Sequence, residues 1–193
     1  MNKLSAGDLM SLEQYARERP ALRARVLHHK GERQLAVGPN ATWCFEDRLT
    51  VQYQVQEMLR AERIFEPQGI EDELDAYNPL IPDGSNWKVT LLLEFDPAER
   101  PHALARLKGV EDRCWVQIAG HARVFAIADE DLVRENAHKT SAVHFLRFEL
   151  SQPMIMSLRE GAALALGIDQ QHYRHEVRAV PEAVRRSLTA DLQ

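Results

Sequence analysis

Eight histidines and one carboxylate set inside a hydrophobic stripe are the side chains of this sequence best suited to chemistry. A neutral imidazole is the commonest metal ligand. A carboxylate that a helix turns toward the core must be hydrogen-bonded, ion-paired, protonated or bound to a cation. Along residues 47–66, Val51, Val55, Met58, Leu59 and Phe65 share one side of a helical wheel, and Glu62 falls near their centre. A structural pair with an arginine such as Arg33 or Arg48 is the plain reading of Glu62, and a functional carboxylate the sharper one. Among the histidines, the pattern turns His144 inward on a strand and opens another strand at His121, while His172 and His175 stand three apart next to Glu176. His121, His144, His172, His175 and Glu62 together make a candidate set for iron, zinc or manganese. Glu135-x-x-His138 is half of a carboxylate-bridged di-iron pattern, but a second Glu-x-x-His is missing and no His-Glu-x-x-His occurs. A lone histidine on an apolar face is more often a satisfied core residue than a ligand.

The stretch Asn78–Asn86 (NPLIPDGSN) is a second place to look. Asp83, Ser85, Asn86 and Trp87 offer donors, acceptors and an aromatic wall to a small ligand. The competing reading is that Pro79, Pro82 and Gly84 shape a rigid entry into a strand, with Asp and Asn closing side-chain turns. Thr140-Ser141, ahead of the His144 strand, is a further polar pair. No phosphate loop, GxGxxG or GxSxG elbow is present. Cys44 and Cys114 each adjoin a tryptophan in a strand-like run and belong to no CxxC or Cys/His ligand spacing, which reads as two packed core thiols.

Charge bounds the partners. A net charge of -5 argues against bulk electrostatic binding of nucleic acid. The distribution is uneven, with Arg17, Arg19, Arg23, Arg25, Lys30 and Arg33 set against Glu18 and Glu32 over residues 17–33. Residues 62–75 carry Glu62, Glu66, Glu71, Asp72, Glu73 and Asp75 against Arg63. Two solvated helical faces are the plain account; the alternative is a docking surface for an acidic partner made by Arg17, Arg19, Arg23 and Arg25.

The elements that must position these groups suit one domain over residues 1–193, with a helical part at about residues 5–30 and a mixed remainder. Ser5 to Asp8 caps a first helix that Pro20 interrupts or restarts, and ALRARVLHHK continues to Gly31. RQLAVG and ATWCFE read as strands turning at Gly38-Pro39-Asn40. The long helix follows from Asp47 and ends at Pro67 and Gly69. WKVTLLLEF, the pair RCWVQIAG and HARVFAIA, SAVHFLRFEL and AALALGI read as strands; PAERPHALARL, residues 153–160 and PEAVRRSLTADL read as helices, and DEDLVRENAHK as a helix or loop. Short connections favour an α+β fold, with N-terminal helices and a long central helix packed on a largely antiparallel sheet. The tail helix face of Ala183, Val184, Leu188 and Leu192 serves its own sheet or a dimer. No apolar segment suits a secretory signal or a membrane span, so a cytoplasmic location is expected.

The runs TVQYQVQEMLRAERI, LDAYNPLIPDGSNWKVTLLLEF, VEDRCWVQIAGHARVFAIADEDL and TSAVHFLRFEL together resemble an uncharacterised bacterial domain-of-unknown-function family of about this length. The resemblance supplies no catalytic motif to carry over. It implies a context: such proteins are often encoded beside a rubrerythrin-like protein and a cysteine-rich iron–sulfur oxidoreductase. Two expectations follow. One is an accessory or docking protein of a redox or peroxide-defence system; the other is a metal-binding protein or metal-dependent oxidoreductase using the His/Glu set.

Overall fold

Alternation of buried and half-exposed residues, strict on β7 (Val143–Glu149) and nearly so on β3 (Asn86–Leu93), runs through the centre of the larger of two sheets. In this computed structural model, which describes residues 2–128 and 140–193, the strands β1 (Gln34–Ala36), β2 (Ala41–Glu46), β3 (Asn86–Leu93), β6 (Ile127–Ala128) and β7 (Val143–Glu149) form a sheet of order β1-β2-β3-β7-β6. The second sheet runs β5 (Val124–Phe125), β4 (Cys114–Ile118), β8 (Leu164–Gln170), β9 (Tyr173–Val177). Every pairing in both is antiparallel. The α+β reading is correct.

Because strand side chains alternate, β2 and β3 turn Trp43, Phe45, Trp87, Val89 and Leu91 to one side, where β7 adds Leu146 and Phe148. Trp43 stacks on Phe148 with centroids 5.4 Å apart, and Phe45 meets Trp87 edge-on at 6.0 Å. Cys114, Val116, Ile118, Leu164, Leu166 and Ile168 of the second sheet join the same core. Helices α5 (Gln152–Arg159) and α6 (Glu182–Thr189) complete it with Ile155, Leu158, Val184 and Leu188. The tail helix therefore packs on its own sheet, Trp87 Nε1 donating to Leu188 O at 2.9 Å, and of its expected apolar face only Ala183 stays exposed. Both cysteines are free and buried.

A separate apolar cluster holds the helical layer. α2 (Arg48–Glu62) contributes Val51, Val55 and Leu59, which meet Leu4, Leu74 of α3 (Pro67–Tyr77) and Ile81. A short helix α4 (Arg100–Arg106) lies between β3 and β4. None of the helices among the described residues is long and apolar enough to cross a membrane.

Three expectations are corrected. Pro20 does not divide the first helix: α1 runs from Leu12 to Gly31, capped by Ser11, while Ser5 closes only a three-residue 3-10 turn. The carbonyl that Pro20 frees, Ala16 O, is on the exposed side, where water can satisfy it. The long helix stops at Glu62, since Arg63 turns left-handed (φ 56°, ψ 42°), and Pro67 starts α3 instead of ending α2. HARVFAIA is not one strand; Val124 and Phe125 pair with β4, Ile127 and Ala128 with β7, so the chain changes sheets at Ala126. His172–Glu176 is the turn and first part of β9, which alternates its side chains and does not stack them as a helix would. DEDLVRENAHK lies outside the described residues.

Candidate functional site

The wheel that centred Glu62 in the apolar stripe assumed four more helical residues than form. With α2 ending there, Glu62 is exposed and Phe65 is 67% exposed. His144 is buried on β7, Nε2 lying 3.0 Å from both Thr140 Oγ1 and Ser141 O, and Nδ1 3.8 Å from Glu111 Oε2. The carbonyl can only accept, so Nε2 carries the proton. His121 Nε2 pairs with Ser157 Oγ at 2.8 Å, in the turn after β4. His172 occupies the β8–β9 turn beside Arg106, and His175 packs its ring on Tyr173 at 4.5 Å. The five proposed ligands thus sit on separate elements with separate partners, and among the described residues no group of three or more His, Cys, Asp or Glu is placed to hold a metal. Glu135 and His138 lie outside the described residues.

In the Asn78–Asn86 stretch the polar groups satisfy one another. Asp83 Oδ1 accepts from the Ser85 N–H and hydroxyl at 2.8 Å, and Asn86 Nδ2 donates to Asp83 Oδ2 at 2.9 Å and Glu149 Oε1 at 3.2 Å. Trp87 is fully buried in the core, not a wall of this loop. Gly84 (φ 106°) lies against Gln193, whose N–H donates to Gly84 O, so this turn anchors the end of the chain.

The basic segment divides into an anchored arginine and free ones. Arg19 donates from Nε and Nη2 to the two carboxyl oxygens of Glu57 on α2, each at 2.7 Å, and the Tyr15 hydroxyl donates to Glu57 Oε1 at 2.6 Å. The Arg19 hydrogen bonds hold the Glu57 carboxyl down at about 2. Arg19 therefore fastens α1 to α2 and is removed from the docking set. Arg17, Arg23 and Arg25 are exposed and enter no ion pair among the described residues.

Two sites escaped the sequence reading. The first is a buried charge cluster. Arg33, 2% exposed, donates to the Asp191 carboxylate and to Phe45 O, Glu46 O and Ser187, with Asp47 Oδ2 3.6 Å away. His29 Nε2 lies 2.5 Å from the same Asp47 oxygen. Burial pushes the Asp191 carboxyl up to about 6, Asp47 adding to this against the pull of Arg33 and His29. Burial also opposes ionisation of Asp47, but Arg33, the Thr50 N–H and His29 outweigh it and hold its carboxyl below the usual range. Asp47 caps α2 and Asp191 follows α6, so Arg33 ties the helical layer to the core.

The second is a cavity of about 300 Å³ between α2 and the outward face of the larger sheet. Register lines up Gln34, Cys44, Thr90 and Phe145 across four strands as its floor, with Leu92 and Val143 one row away. Thr50, Val51 and Gln54 of α2 roof it, and Lys30 stands at the rim. Gln34 Nε2 lies 3.2 Å from Cys44 Sγ, and burial pushes the Cys44 thiol up. The only sequence sign of this face was the polar alternation of β2 and β3, which reads equally well as a solvated side.

A family profile described as "Protein of unknown function (DUF3501)" matches residues 3–192. The chain is also similar to a crystal structure from Burkholderia pseudomallei described as a novel protein of unknown function, with 47% identity over all of both chains and a TM-score of 0.95. No curated protein matches.

Proposed function

The chain belongs to the DUF3501 family, and on that premise we propose that it is an accessory protein that docks an acidic partner through the outer face of α1. The observation that carries this reading is the set of exposed cations Arg17, Arg23 and Arg25, which enter no ion pair among the described residues, around the solvent side of a 20-residue helix that buries only Tyr15 and Val26. Leu27, 53% exposed, adds an apolar contact. Arginine forks suit bidentate pairing with carboxylates, and charge complementarity of this kind speeds encounter. Glu57 grips one side of the helix, so the free side is presented rigidly.

The resemblance noted from the sequence makes a rubrerythrin-like protein and an iron–sulfur oxidoreductase the first partners to test, and with them a role in redox or peroxide defence. Binding of each, fluorescently labelled, would be measured at low and high salt. The double charge reversal Arg23→Glu with Arg25→Glu should weaken binding about tenfold or more at low salt and flatten its salt dependence. Unchanged affinity at low salt would sink the docking face.

A further inference from the structure

The cavity beneath α2 carries one carboxylate and one ammonium that do not neutralise each other. Glu46 accepts a hydroxyl on each oxygen, Thr90 on Oε1 and Thr50 on Oε2, both at 2.6 Å. A carboxylate has about four acceptor positions, so these two clamps fix its orientation and leave acceptor capacity. Lys30, half-buried at the rim, enters no ion pair with Glu46 or any other carboxylate among the described residues. One side of the wall is hydrocarbon, with Leu80, Leu92, Val143 and Phe145 facing a space with room for about ten water molecules, while Gln34, Gln54 and Tyr77 also line it. Water alone would leave that wall wet, whereas an apolar body would cover it. A simple anion would meet Glu46, and a simple amine would meet Lys30.

We propose that this cavity binds a small zwitterion of amino-acid size with an apolar side chain, its ammonium on Glu46, its carboxylate toward Lys30 and its hydrocarbon against Phe145 and Leu92. A volume of about 300 Å³ is at the small end of ligand pockets, which suits one such molecule. The site stands apart from the docking face: it uses the inward end of α1 and the sheet beneath, not the arginines of the outer side.

Cys44 gives the readout, because its sulfur lines the cavity while Cys114 is fully enclosed in the core. Alkylation of the full-length protein by iodoacetamide would be followed by mass spectrometry in the presence of leucine, phenylalanine, 4-methylpentanoate or 3-methylbutylamine. Leucine and phenylalanine should slow Cys44 modification about tenfold or more at saturation, and the acid and amine lacking one charge should protect far less, since each loses a charge-assisted contact. Glu46→Gln should abolish the preference for leucine over 4-methylpentanoate. Should that variant fail to fold, Lys30→Met at the rim should abolish the preference for leucine over 3-methylbutylamine. Equal protection by the half-ligands, or no protection by either amino acid, would overturn the proposal.

Discussion

On β2, Trp43 and Phe45 turn to the core while Cys44 and Glu46 turn to the helical layer; on β3, Val89 and Leu91 turn in while Thr90 and Leu92 turn out. The two faces of this sheet alternate along the same strands, yet one is filled by stacked rings and the other floors a cavity. The difference follows from where α2 puts its apolar stripe. Val51, Val55 and Leu59 are satisfied by α3, Leu4 and Ile81 in a cluster of their own, so the helix does not need to collapse onto the sheet. Small and polar side chains below it are then compatible with open space. A hydrophobic stripe can thus be buried without filling the adjacent sheet face, and space of this kind persists only where another element takes up the apolar area.

The largest effect expected on either face is from Phe148→Ala on the inward side. It removes the ring stacked on Trp43 from a fully buried position and should cost about 3–5 kcal/mol in urea unfolding. A loss below about 1 kcal/mol would break the contrast, by showing that the inner face tolerates voids as the outer one does.

At the seam where the faces join, the expected effect is on the pH dependence of stability. Asp191 holds its proton to about 6 in the folded chain against 3.8 in the unfolded one. The folded state therefore binds more protons between those values, and the stability this group contributes is full below 3.8 and lost as the pH rises through about 6. Asp191→Asn cannot titrate and should remove that decline from a series of urea midpoints across the window. A profile identical to the parent protein's would show that the Arg33 cluster does not couple the layers as described.

The smallest effect compares the two thiols directly. Cys44 is 8% exposed at the cavity and Cys114 fully enclosed. Cys44→Ser should change stability by less than about 0.5 kcal/mol, whereas Cys114→Ser places a hydroxyl in the core and should cost about 1–3 kcal/mol. Thermal melts of the two variants decide the order, and equal shifts would mean that the outer face is packed as tightly as the inner.

Much of the fold was legible because its signals are local. An apolar run marked β3 and alternation marked β7, the turn at Gly38, which is left-handed, separated β1 from β2, and the apolar spacing of Val184, Leu188 and Leu192 marked the buried side of the tail. Proline misled twice, since Pro20 sits in a helix that Tyr15 and Val26 hold from both sides, and Pro67 opens a helix. His144 was placed correctly as inward-facing, but its partners Thr140 and Ser141 make it a satisfied core residue. The helical wheel placed Glu62 on the side of Val55 and Leu59, but α2 ends at that residue, so Phe65 leaves the stripe and Glu62 is exposed at the helix end instead of buried.

Residue by residue, the sequence determined the alternation of the strands, the turn positions, the chemical types on each face and the basic character of α1. Tertiary structure alone decided that Arg19 is tied to Glu57 while Arg17, Arg23 and Arg25 enter no ion pair among the described residues, and that Arg33, Asp47 and Asp191 meet although 158 residues separate the first from the last. It also decided that Gln34, Cys44, Thr90 and Phe145 form one row. The reason is the range of the forces concerned. Backbone geometry fixes a side chain's direction within a few residues, but register, layer stacking and the pairing of buried charges depend on minimising exposed apolar area and unpaired charge over the whole chain at once.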